Sequence, residues 1–226
     1  AIPREAFAII TIPGDNVEAL WELVSDYQEM YRSEYKGIEH NINFTAEMTD
    51  MPATLIPEEI QDDLINAIEG CQNGVISMLV DFPGTVESST NLAIVKSSNE
   101  MIEIQILVRS SSESRKEAVC SSLESIFSLA GAKVEYSDGY GGWQPNIDSP
   151  ILKIMQQAYL DLYGKKPEAK VMHAGLECGI IQESYPDMDM ISIGPDLQHP
   201  HSPDERVSIP SVARTWDFIV TTLARI

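Results

Sequence analysis

Eight residues, Asp138-Gly139-Tyr140-Gly141-Gly142-Trp143-Gln144-Pro145, interrupt every periodic pattern around them. Glycine relaxes the backbone and proline removes a donor, so neither a helix nor a strand ladder runs through such a segment. The chain is long enough for one large domain or two small ones. This break divides it into residues 1–137 and 138–226, and the patterning differs on the two sides.

The first part mixes two periods. Residues 6–12 form a short apolar run that stops at Pro13-Gly14 and reads as a strand. Asp15-Asn16 offers an N-cap, and Val17, Leu20, Trp21, Val24, Tyr27, Gln28 and Tyr31 follow at helical steps. Residues 38–48 alternate well enough for a strand. A helix begins at Pro57, with acidic residues in its first turns, and ends at Gly70. Residues 75–82 read as a strand. Residues 88–95 and 101–108 read as a hairpin, and a helix over 113–129 stops at Gly131. Residues 132–137 give one more strand. This order predicts an α+β layer, an antiparallel sheet covered by helices on one face.

The second part alternates helix and strand. Helices are expected over 149–163, 175–183 and 210–224, a short entry strand over 170–173, and a strand over 188–193. This is an α/β pattern too short to make a complete sheet.

Two of the four histidines, His199 and His201, lie in the proline-stiffened loop after residue 193, with Asp196, Asp204 and Glu205 beside them. Imidazole and carboxylate are ordinary ligands of zinc and related ions. The same loop also reads as a solvated turn, and a zinc site needs three or four protein ligands. His173 and Glu177 are four apart and would share a face of a helix. Arg109 ends a strand and could clamp a carboxylate through its planar fork, or simply sit on the surface. Thr90 and Asn91 lie on the preceding strand. His40 reads as structural or exposed.

Net charge is −20. That argues against nucleic acid and anionic membranes, whose phosphates are met by clustered Lys and Arg. No apolar run reaches membrane-spanning length. Cys71, Cys120 and Cys178 match no zinc knuckle or redox pair, so reduced thiols in a cytoplasmic protein are the simplest reading. Cys178 near His173 is a conceivable nucleophile, although no activating arrangement is legible.

Two motifs carry a resemblance over the whole chain. His173-Ala174-Gly175-Leu176-Glu177-Cys178-Gly179 and His201-Ser202-Pro203-Asp204-Glu205-Arg206-Val207, in this order, resemble the C-terminal signatures of the carnosinase-like zinc metallopeptidases. The bacterial aminoacyl-histidine (Xaa-His) dipeptidases are the most similar branch. The resemblance implies a lid and dimerisation domain over 1–137, hence a homodimer, and the C-terminal portion of a catalytic domain over 138–226. It implies that His201 ligates a metal, that Arg109 holds the carboxylate of a dipeptide, and that Gly175 meets substrate through its backbone. His173, Glu177, Asn91 and His199 are weaker candidates. The family uses two divalent ions, zinc with manganese or cobalt as alternatives, and a glutamate base. Most of the ligand motifs are not recognised here, and no His-x-Asp occurs; Asp-x-Asp appears at Asp187-Met188-Asp189. The expectation is a C-terminal fragment, inactive alone, with some apolar surface uncovered. The chain's start, Ala-Ile-Pro, fits processing or a fragment. The rival readings are a non-catalytic dimerising or regulatory module and a cysteine hydrolase using Cys178.

Overall fold

The computed structural model describes all residues except Ala1, Asp81, Asp138, Tyr140, Gly141, Gln144, Pro145, Ile147 and 172–176. The chain forms two units, residues 4–57 and residues 1–3 with 58–226.

In the smaller unit, a 3-10 turn over Gly14–Asn16 leads into α1, Val17–Glu34. Asn16 caps without a side-chain bond; its N–H instead donates to the Pro13 carbonyl at 2.9 Å. The expected strands over 6–12 and 38–48 do not form. A strand needs a ladder partner, and here the second segment is held to α1 by side chains. Arg32 Nε donates to the Ile42 carbonyl at 2.9 Å, and the Phe44 N–H to Gln28 Oε1 at 3.1 Å. The Phe44 ring meets Tyr27 and Tyr31 edge-on at 6.2 and 5.9 Å. None of residues 4–57 is buried, and Phe7 is 92% exposed.

The larger unit begins with α2, Glu58–Gly70, followed by β1, Gly74–Met78, β2, Val86–Ser97, and β3, Ile102–Ser110. The three strands pair antiparallel in the order β1-β2-β3. The expected hairpin is present, longer than its apolar core. Helix α3, Glu113–Leu129, stops at Gly131, whose φ of 72° suits glycine. Ala67 and Cys71 pack with Val119, Leu123 and Phe127 against Ile76, Leu92, Ile104, Ile106 and Val108. Both helices therefore cover one face of the sheet. Buried polar groups on that face are satisfied: Thr90 Oγ1 donates to the Gln72 carbonyl at 2.6 Å, and the Ser88 and Ser110 hydroxyls lie 2.8 Å apart.

A second core joins α4, Pro150–Tyr163, to α6, Ile209–Leu223, through Met155, Ala158 and Phe218. Ser149 caps α4 as its sequence predicts, accepting from the Leu152 N–H at 3.1 Å, and Gly164 ends it at φ 70°. The expected strands over 132–137 and 188–193 are absent. Val134 and Ile191 do pack inward, so the alternation marks a half-buried segment without a ladder beside it. Asp189, half of the Asp-x-Asp pair, accepts from the Ile151 N–H at 2.8 Å and so satisfies an orphan donor at the start of α4. A short helix α5, Glu177–Ser184, lies between α4 and a small ribbon.

Candidate functional site

The ribbon is β4, Leu197–Gln198, paired antiparallel with β5, Arg206–Val207. It presents both candidate histidines at its tip. His199 has φ 53° and His201 φ 64°. For residues other than glycine the left-handed region costs on the order of 1–3 kcal/mol each and persists only where surrounding contacts impose it. Those contacts are visible. The Ser202 N–H donates to the His199 carbonyl at 3.3 Å and the Glu205 N–H to the Ser202 carbonyl at 3.1 Å. The His201 N–H donates to Glu205 Oε2 at 3.0 Å, and the Asp204 N–H to Ser202 Oγ at 3.2 Å. Arg206 Nε grips Gln198 Oε1 at 2.7 Å across the ribbon. Both histidines are exposed.

The acidic neighbours have other tasks. Glu205 is engaged by the backbone of His201, and Asp196 Oδ2 pairs with Arg214 Nη2 at 3.0 Å. Among the described residues, no three His, Cys, Asp or Glu side chains converge as a metal site. His201 suits a single imidazole ligand on an exposed, conformationally fixed tip.

Arg109 and Asn91 come to one surface. Arg109 pairs with Ser89 across the ladder, and Asn91 with Leu107. Because β3 alternates, Leu107 and Arg109 lie on the exposed face, opposite the packed Ile106 and Val108. Arg109 and Asn91 are thus diagonal neighbours on the uncovered face of the sheet. Thr90 points the other way, into the covered face, where its hydroxyl is occupied. His40 is exposed.

Glu177 is the exposed first residue of α5, where a carboxylate complements the helix dipole. His173 and Gly175 lie outside the described residues. Burial pushes the Cys178 thiol up from its ordinary value; a bond to its own backbone pulls it partly back, and the neighbouring Glu177 charge raises it further. A nucleophilic cysteine needs the opposite shift.

Spacing did not reveal Ser211 or Arg214. Both lie on α6 and hold the base of the ribbon: the Asp196 N–H donates to Ser211 Oγ at 2.9 Å. A polar pair three residues apart in the first turns of a helix gives no signal of a partner fifteen or more positions back.

A family model described as peptidase family M20/M25/M40 matches residues 13–225. Over all 226 residues the chain is 39% identical to the cytosol non-specific dipeptidase of Escherichia coli (strain K12), covering 47% of that protein. Its structure is similar to that of an aminoacylhistidine dipeptidase from Vibrio alginolyticus, with a TM-score of 0.77 and 39% identity, over 95% of this chain and 44% of the other. An aminopeptidase PepT from Bacillus cereus shares the fold at a TM-score of 0.56 and 16% identity, over 72% of this chain and 44% of the other. The chain spans about half the length of the curated relative it matches.

Proposed function

Because this chain belongs to peptidase family M20/M25/M40, we propose that it is the C-terminal portion of a metal-dependent dipeptidase, acting on Xaa-His and related dipeptides. One observation carries the reading. His201 stands at an exposed ribbon tip whose strained backbone is fixed by several hydrogen bonds, at the position the histidine motif singles out. Such a tip suits a ligand that must meet an ion without reorganising.

In this reading His201 supplies one ligand of a zinc site, with manganese or cobalt as alternative metals. The remaining ligands and the general base come from polypeptide outside this chain. When bound, the metal polarises the scissile carbonyl and lowers the pKa of a water. Arg109 receives the C-terminal carboxylate of the dipeptide, and Asn91 beside it offers an amide to the same group. Gly175 contributes backbone; His173, Glu177 and His199 support the site. The division into residues 1–137 as lid and 138–226 as catalytic portion, the homodimer through the lid and a cytoplasmic location belong to the same proposal. No described helix is long and apolar enough to cross a membrane.

The test uses the 226-residue chain with zinc and an Xaa-His dipeptide. No hydrolysis is expected. Hydrolysis abolished by His201→Ala would mean that a complete site lies within these residues.

A second reading, a dimerising or regulatory module without chemistry, is favoured by the self-contained core of α2, α3 and the three-stranded sheet. It requires a dimer at tens of micromolar, and light scattering that finds a monomer removes it.

A further inference from the structure

The ribbon bearing His199 and His201 hangs from one buried point. Ser211 is 3% exposed, and its hydroxyl makes two bonds at once. It donates to the Ser208 carbonyl at 2.7 Å and accepts from the Asp196 N–H at 2.9 Å. The Ser208 N–H donates to the Asp196 carbonyl at 3.0 Å. These bonds close the neck between Asp196 and Ser208, and Leu197 through Val207 lie beyond it.

Beyond the neck, the described bonds of the ribbon are made among its own exposed residues: Arg206 with Gln198 across the ladder, and the tip bonds from the His201 N–H to Glu205 and from the Ser202 N–H to the His199 carbonyl. Its ladder comprises two residue pairs, Leu197 with Val207 and Gln198 with Arg206. A two-stranded ribbon is marginal in water even when long. Both apolar members of the ladder, Leu197 and Val207, are exposed, so no core contact replaces the missing strands. The Arg214–Asp196 ion pair reinforces the neck from outside, but its partners are exposed and such pairs are weak. The tip's own bonds set the left-handed backbone at His199 and His201, and Ser211 is a buried, doubly bonded polar group at the neck from which that tip hangs.

We propose that Ser211 is a positioning residue for His201. Its hydroxyl fixes the register of the neck, the neck fixes the ribbon, and the ribbon holds His201 in the left-handed conformation that aims its imidazole. The functional weight of this role rests on His201 as a metal ligand; the conformational role does not.

The test is nuclear magnetic resonance of the 15N-labelled chain carrying Ser211→Ala. Two readouts matter, at positions remote from the altered side chain. One is the three-bond HN–Hα coupling of His199 and His201, which reports φ. The other is amide exchange at His201. The substitution is expected to move both couplings to averaged values. It is also expected to speed exchange at the His201 amide about fivefold, the factor that corresponds to one ordinary hydrogen bond. Ser211→Thr, which keeps the hydroxyl, restores both. Unchanged His199 and His201 signals in Ser211→Ala, with only the Asp196 amide losing protection, would overturn the proposal. The Phe218 and Ala158 signals report the α4–α6 core. Should Ser211→Ala lose them, Ser211→Cys, similar in size and weak in hydrogen bonding, is read in the same two ways. Neither readout involves metal or hydrolysis, so the positioning role can fail while the dipeptidase reading stands. The converse failure appears in a full-length dipeptidase carrying these residues, as hydrolysis indifferent to His201→Ala.

Discussion

The backbone of Gly142 lies directly against that of Ser110: a Cβ placed on Gly142 would fall 2.7 Å from the Ser110 carbonyl oxygen and 2.8 Å from the Ser111 Cα. Both neighbours are backbone and cannot rotate away. This contact sets Gly142 against the end of β3, next to Arg109. Only glycine permits the approach.

Gly142→Ala is therefore expected to destabilise the chain by about 1–3 kcal/mol, the usual cost of forcing atoms into a packed site. Gly139→Ala, where nothing lies within 4 Å, serves as the control. Urea unfolding of the two variants checks this. Equal midpoints would mean the return segment moves aside without cost.

Helix α6 is apolar on two sides. Phe218 packs in the core shared with α4, and Thr222, one turn on, is also buried. On the opposite side Ile209, Val212, Trp216, Val220 and Leu223 form a stripe at helical spacing, with Ile209 81% and Trp216 66% exposed. Polar residues, Arg214 and Asp217 among them, separate the two faces, so the exposed stripe is a second apolar face rather than a continuation of the buried one. The stripe is expected to drive self-association, and Trp216→Asp to lower the mass seen by light scattering at tens of micromolar. The Trp216 emission should shift to the blue as concentration rises. A mass unaffected by Trp216→Asp together with Val212→Asp would contradict this.

The thiols, Cys71 buried and Cys120 and Cys178 half-buried, should behave as bystanders. Desolvation raises Cys71 and Cys178, and it raises Cys120 although Lys116 partly opposes it. A raised thiol favours its protonated form in the folded state. The associated stability is complete below the ordinary thiol value of about 8.5 and is lost as pH rises through the folded value. The urea midpoint should fall above pH ~9, less so in Cys71→Ala relative to its own neutral midpoint. Native thiols should react with an aromatic disulfide more slowly than in urea. Fast labelling of Cys178 at neutral pH would revive a cysteine nucleophile.

Much of the fold was legible locally. Ser149-Pro150 and Gly131 mark helix ends because caps and left-handed turns depend on one or two residues. The β2–β3 hairpin was legible for the same reason. Residues 132–137 and 188–193 were misread because alternation reports one-sided burial, which Val134 and Ile191 do achieve, and says nothing of whether a neighbouring strand exists. In the ribbon, His199 and His201 stood out by residue type, and Arg109 by its place at a strand end and by the family resemblance. The link from Ser211 through Asp196 to the ribbon could not be read, since it is made by a long-range contact between residues of ordinary composition. Asp189 of the Asp-x-Asp pair accepts from the Ile151 N–H in the first turn of α4, a contact its spacing does not announce.

The most direct measurement exchanges these 226 residues for the matching stretch of the Escherichia coli cytosol non-specific dipeptidase, to which they are 39% identical. The chimera is assayed for zinc-dependent hydrolysis of an Xaa-His dipeptide. The expected result is hydrolysis that falls by at least about a hundredfold in His201→Ala, the upper range for loss of a residue that merely supports a metal ligand, while the melting temperature without metal is unchanged. A folded chimera that hydrolyses the dipeptide equally well with His201→Ala would contradict the assignment of His201, and with it the reading of this chain as the portion of a dipeptidase that helps to hold the metal.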